Sequence, residues 1–127
     1  MLLKNFEFEY EIFPDREGNS DIQISSEIKD GRYCLRYKNG NKLRVTDITG
    51  KADVFCQDLL KMNINEWDQQ DFDRPMDMFP GYFWKLTIIA DDINVECRGK
   101  DNLPKNWNEF RILLSEIGIT ERKFPFK

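Results

Sequence analysis

Residues 5–13 alternate strictly, with Phe6, Phe8, Tyr10 and Ile12 set against Glu7, Glu9 and Glu11. A period of two over that length predicts a strand with one buried face and one acidic face. After a polar, glycine-containing loop at Asp15–Ser20, the alternation resumes with Ile22, Ile24, Ser26 and Ile28. Asp30-Gly31 predicts a two-residue hairpin turn, because glycine accepts the positive φ that such turns require. Tyr33, Leu35 and Tyr37 line one face of the next strand, and Asn39-Gly40 marks a second turn. Leu43 and Val45 are expected to continue inward as far as Ile48. The first 48 residues therefore read as a four-stranded antiparallel meander.

The period changes after Gly50. Ala52, Phe55, Leu59 and Met62 stand at helical spacing and predict a short amphipathic helix over 52–62. Residues 63–81 hold Trp67, five carboxylates, Pro75 and Pro80. That mixture predicts a connection lying against the surface, not a regular element. Tyr82, Trp84, Leu86 and Ile88 alternate again, Asp91-Asp92 turns the chain, and Ile93, Val95 and Cys97 follow. Pro104 suits the first turn of a final helix, where its missing N–H costs nothing. Trp107, Phe110, Leu114 and Ile117 form that helix's apolar stripe, Gly118 its C-terminal cap, and Ile119–Lys127 an extended tail. The order is ββββαββα, an α+β class with a mostly antiparallel sheet of about six strands and two helices on one face.

Length and composition narrow the chemistry. The 127 residues fit a single domain, 1–127, and 40% hydrophobic with 33% charged residues is globular. Histidine is absent, which removes histidine bases, histidine metal ligands and the catalytic triads that depend on them. A net charge of −4 argues against a general binder of nucleic acid or anionic membrane. No apolar run approaches the roughly 20 residues that span a bilayer. The opening Met1–Glu7 meets acid before any apolar stretch, so no secretory signal is expected and the cytoplasm is the expected location. Cys34, Cys56 and Cys97 lie far apart with no C-x-x-C, which predicts buried, reduced thiols and neither a zinc knuckle nor a thioredoxin-like pair.

Charge is segregated along the chain. Residues 1–31 and 52–77 are acidic, whereas 32–51 carry Arg32, Arg36, Lys38, Lys42 and Arg44. These five cations are expected to point away from Leu35 and Val45 together. Such a ribbon could bind phosphates or nucleic acid. Alternatively, Glu7, Glu9, Glu11 and Glu27 neutralise it across the sheet. Tyr33 and Tyr37 belong to the opposite face, which removes the aromatic interleaving that nucleic-acid surfaces use, so nucleic acid is disfavoured.

Carboxylates recur at Glu66, Asp68, Asp71, Asp73 and Asp77 among apolar residues. Hard cations take several carboxylate oxygens, but the calcium-loop template started at Asp71 places Pro75 and Met76 at forbidden positions. No metal or cofactor is expected. Two of these acids could act as a general acid and base if one were desolvated by Phe72, Phe79 or Trp84. The same stretch could instead be a contact patch of Trp67, Asp68, Asp71, Phe72, Asp73, Asp77, Phe79, Tyr82 and Phe83, since aromatic anchors concentrate binding energy. In a third reading, Trp67 and Phe72 pin the connection to the core. Phe83 and Ile89 lie opposite Trp84, so the second face of that strand requires cover from residues 66–81 or from a partner subunit.

Trp67, Gly81, the strand Trp84-Lys85-Leu86-Thr87-Ile88, the loop Arg98-Gly99-Lys100-Asp101-Asn102-Leu103-Pro104 and then Trp107 and Phe110 form a moderately specific pattern. Over residues 64–117 it resembles a group of small uncharacterised bacterial proteins. That group has a tryptophan, an Asp-Gly-x-x-Trp strand, a Gly-x-Asn-x-x-Pro loop and an amphipathic helix. Here Pro80 replaces the aspartate and Asp101 the asparagine. The resemblance implies an α+β domain of a bacterial cytoplasm and transfers no catalytic residue.

Together these observations favour a non-catalytic protein-interaction or regulatory, immunity-type module that uses its acidic aromatic loop. Its partner would be another protein or a second copy of the chain. A carboxylate-dependent metal binder or hydrolase, and a nucleic-acid ribbon, are the alternatives.

Overall fold

Two tight hairpins set the first half of the molecule. The computed structural model describes residues 3–12, 22–73, 81–100 and 102–119. Strands β1 (Leu3–Ile12), β2 (Ile22–Lys29), β3 (Arg32–Asn39) and β4 (Lys42–Asp47) form the expected antiparallel meander. Asp30 and Gly31 both adopt positive φ, at 53° and 77°, as the mirror-image turn between twisted strands requires. Helix α1 (Ala52–Lys61) follows, then a 3-10 turn (Ile64–Trp67), β5 (Asp71–Asp73), β6 (Tyr82–Ala90), β7 (Asn94–Lys100) and α2 (Trp107–Glu116). The strands join in one seven-stranded sheet of order β4-β3-β2-β1-β6-β7-β5. Among the described strands, only β5 pairs in parallel, with β7.

Strand β5 and the 3-10 turn correct the expected irregular connection over 63–81. The segment follows β7 because its polar side chains satisfy the backbone of its neighbours. Asn65 Nδ2 donates to the Asp92 carbonyl at 2.9 Å, and Asn65 Oδ1 accepts from Asn94 N at 3.0 Å. Asp68 Oδ1 accepts from Glu96 N at 2.9 Å, and Gln69 N donates to the Glu96 carbonyl at 2.9 Å.

One face of the sheet carries the core. Phe6 and Phe8 of β1 meet Phe55 of α1 and Phe110 and Trp107 of α2, so both helices cover the same face. Trp84 and Trp107, both fully buried, stand 5.4 Å apart at its centre. Helix α2 ends as expected: Gly118 takes φ +102°, its N–H bonds the Ser115 carbonyl, and Ile119 N bonds the Leu114 carbonyl, closing a Schellman cap. Pro104 stands earlier than expected, in the turn before the helix, where its carbonyl accepts from Trp107 N at 3.2 Å.

Strand β4 departs from expectation. The second hairpin pairs Tyr37 with Arg44 and Arg36 with Val45. A strand alternates its faces, so Val45 and Leu43 must share the face of Arg36 and Lys38. Leu43 and Val45 are accordingly 55% and 47% exposed, while Arg44 lies over the Tyr37 ring at 5.2 Å on the helix side. No helix among the described residues is long and apolar enough to cross a membrane.

Candidate interaction surface

The expected contact patch is divided by the fold. Trp67 is only 4% exposed. Its ring stacks on Trp107 at 5.9 Å, and its indole N–H donates to Asn106 Oδ1 at 2.9 Å. Half-buried Phe72 stacks on Trp84 at 5.9 Å. Both rings therefore pin the connection to the core and have little surface to offer a partner. Asp68 is engaged with the β7 backbone, and Asp71 is exposed and paired with Arg98 at 3.5 Å. Tyr82 and Phe83 are half-buried on β6, Tyr82 against Tyr10 and Phe83 beneath the Lys85 ammonium. Asp77 and Phe79 lie outside the described residues, as does the side chain of Asp73.

Among the described residues, no three Cys, Asp or Glu side chains gather around a point where an ion could sit. Asp68 accepts from the Glu96 backbone N–H and Asp71 pairs with Arg98, so each carboxylate has a partner of its own. The Cys56 and Cys97 thiols are equally unsuited to nucleophilic chemistry. Burial, reinforced by Asp53, pushes Cys56 up to about 11, and burial with Asp68 nearby pushes Cys97 up to about 12. At neutral pH both stay protonated, and the thiolate is the reactive form.

Among the described residues, nothing covers the face of the sheet opposite the helices, and its composition is ordered strand by strand. The register aligns Val45, Arg36, Ser25, Glu7, Thr87 and Glu96 in one cross-strand row. The next row runs Leu43, Lys38, Gln23, Glu9, Lys85, Arg98 and Asp71. Along these two rows, from the β4 edge inward, the face is thus apolar on β4, basic on β3, uncharged on β2 and acidic on β1, with Glu27 and Lys29 farther along β2. Two shallow depressions interrupt it, one of about 410 Å³ beside β7 and one of about 360 Å³ over β1 and β2. Exposed Ile89 and half-buried Phe83 add apolar area on β6.

This register also corrects the basic ribbon. Arg36 and Lys38 face the open side, whereas Arg44 faces the helices and donates to the Gly118 carbonyl at 3.2 Å. Arg32 is tied to Asp47. The five cations therefore do not form one surface. Of the glutamates expected to neutralise this ribbon, Glu7 and Glu9 are separated from Arg36 and Lys38 by Ser25 and Gln23, while Glu27, opposite Cys34, is the diagonal neighbour of Arg36. Sequence reasoning could have placed these strips, since two-residue turns dictate which residues share a row. None of the known family models, curated proteins or solved structures matches the chain.

Proposed function

We propose that the chain is a non-catalytic protein-interaction module, of a regulatory or immunity type, whose contact surface is the open face of the sheet. The observation that carries this reading is Leu43 and Val45. They are two apolar side chains, each about half exposed, on an edge strand beside a basic and then an acidic strip. A sheet face that the described residues leave uncovered, with apolar area on the edge strand β4 and on β6 and ordered charge between them, suits a protein surface of matching pattern. Of the expected contact residues, Asp71 and Phe83 belong to this surface, and Trp67 and Phe72 support it from behind. The absence of histidine and the raised thiols weigh against catalysis. A bacterial cytoplasm is the proposed setting, supported by the resemblance over 64–117 and by three free, buried thiols.

The test is affinity capture from lysate of the source cell, with the native chain and a Leu43→Lys/Phe83→Lys variant. A stoichiometric partner, another protein or an untagged copy, retained by the native chain and lost by the folded variant supports the assignment. Equal capture by both, or capture by neither, contradicts it.

A further inference from the structure

We infer that the open face pairs with the same face of a second copy of this chain, about a two-fold axis running along β2. The inference rests on the reading above and names its partner. Strands lie about 4.8 Å apart, so β3 and β1 flank β2 at equal distances, and β4 and β6 flank it at twice that distance. The charge pattern reverses across this line. Arg36 and Glu7 occupy one row on either side of Ser25, and Lys38 and Glu9 occupy the next on either side of Gln23. A two-fold axis parallel to β2 carries each β3 over the partner's β1. Arg36 then meets the partner's Glu7, and Lys38 meets the partner's Glu9. Both contacts occur twice, as an isologous interface requires.

The same operation carries β4 over the partner's β6 row on row, so Leu43 meets the partner's Lys85 and Val45 the partner's Thr87, with Phe83 and Ile89 the next residues outward on that face. Facing sheets normally cross at about 30°, which an axis tilted by about 15° from β2 supplies.

The alternative axis, running across the strands, fails on charge. It places β1 over the partner's β1, so Glu7 and Glu9 meet glutamates, and β3 over the partner's β3, so Arg36 and Lys38 meet cations. Like charges in direct opposition are unfavourable, so Arg36, Lys38, Glu7 and Glu9 favour the axis along β2, which opposes only Glu27 and Lys29 of β2 to their own copies.

The five strands centred on β2 span roughly 24 Å by 23 Å, or about 550 Å² of sheet plane per copy. A standard interface buries about 800 Å² per partner, so the dimer is expected to be concentration-dependent and reversible.

Sedimentation velocity on the full chain tests this, from about 1 to about 300 µM, the range in which an interface of this size associates. The native chain is expected to shift from monomer to dimer. Glu7→Lys/Glu9→Lys and Arg36→Glu/Lys38→Glu each place like charges in opposition and are expected to weaken the dimer at least about tenfold. Mixed in equal amounts, the two variants regain complementarity and form a heterodimer, which no role of these residues in folding alone would produce. Circular dichroism confirms that each variant is folded. Should either fail to fold, Ser25→Glu carries the test, because the axis places residue 25 against its own copy. A native chain that stays monomeric overturns the inference, as does a dimer that survives both reversals or folded variants that remain monomeric when mixed. A monomeric native chain that still captures a different protein through Leu43 and Phe83 overturns the self-pairing and leaves the interaction reading standing.

Discussion

The Trp67 indole N–H donates to Asn106 Oδ1 at 2.9 Å, and Asn106 Nδ2 donates to the Met62 carbonyl at 3.0 Å. One side chain thus joins the 3-10 turn to the end of α1 and the start of α2. Trp67→Ala is expected to cost about 3–5 kcal/mol, the usual loss for a buried large aromatic. Asn106→Ala leaves a donor and an acceptor without their partner and is expected to cost about 1–3 kcal/mol. Urea denaturation measures both. A Trp67→Ala chain of native stability that had lost a partner would instead return this tryptophan to the contact surface.

Gly99 is a second sensitive point. A methyl group there would lie 2.7 Å from Trp84 Cε2 and 2.8 Å from the Asn102 carbonyl oxygen, which accepts from the Trp84 indole N–H. Backbone and a buried indole cannot both yield, so Gly99→Ala is expected to destabilise by about 1–3 kcal/mol, the range for overpacking. Gly50→Ala, with nothing within 4 Å of its added carbon, is the matched control and should change little. Thermal melts of the two variants make the comparison. Equal melting temperatures would contradict the packing described.

Acid stability should depend on Asp47. Hydrogen bonds from the Thr49 hydroxyl and backbone N–H, and then from Arg32, hold its carboxyl down at about 2, well below the usual carboxylate range. A carboxylate with a depressed folded-state value contributes stability that is complete above its unfolded value and disappears as pH falls through the folded one. The gap in urea midpoint between the native chain and Asp47→Asn should therefore be widest above about pH 4 and close toward pH 2. A gap that widened in acid would refute the assignment.

The thiols give a simple probe of the core. Cys56 and Cys97 are buried and protonated at neutral pH, with values raised to about 11 and about 12. Alkylation at pH 7.5 should leave both unmodified in the native chain and label them after denaturation, as peptide mass mapping would show. Rapid native labelling of either would contradict their placement.

Much of this architecture was legible from local pattern. The alternation through Phe6, Phe8 and Tyr10, the Asp30-Gly31 turn, the stripe on α2 and the Gly118 cap depend on neighbours close in sequence. What was not legible depends on distant partners. Strand β5 exists because Asn65, Asp68 and Gln69 bond residues more than twenty positions away on β7 and its turn. No local periodicity carries that information. Trp67 sits in a polar stretch, and its burial comes from Trp107 and Phe110 of α2, forty and more positions away, together with Phe72. The outward placement of Leu43 and Val45 is a different matter. Two residues of turn pair Tyr37 with Arg44, so hydrophobic character alone misassigned a face that the turn length determines.

The most direct test of the open face as the contact surface is lysine footprinting of the native chain with an amine-reactive reagent, as protein concentration rises or a captured partner is added. Lys38 and Lys85 lie on the open face, while Lys51 and Lys61 are exposed beside and on α1. Modification of Lys38 and Lys85 is expected to slow several-fold while Lys51 and Lys61 keep their rates. Unchanged rates at all four, or protection confined to Lys51 and Lys61, would contradict the central claim.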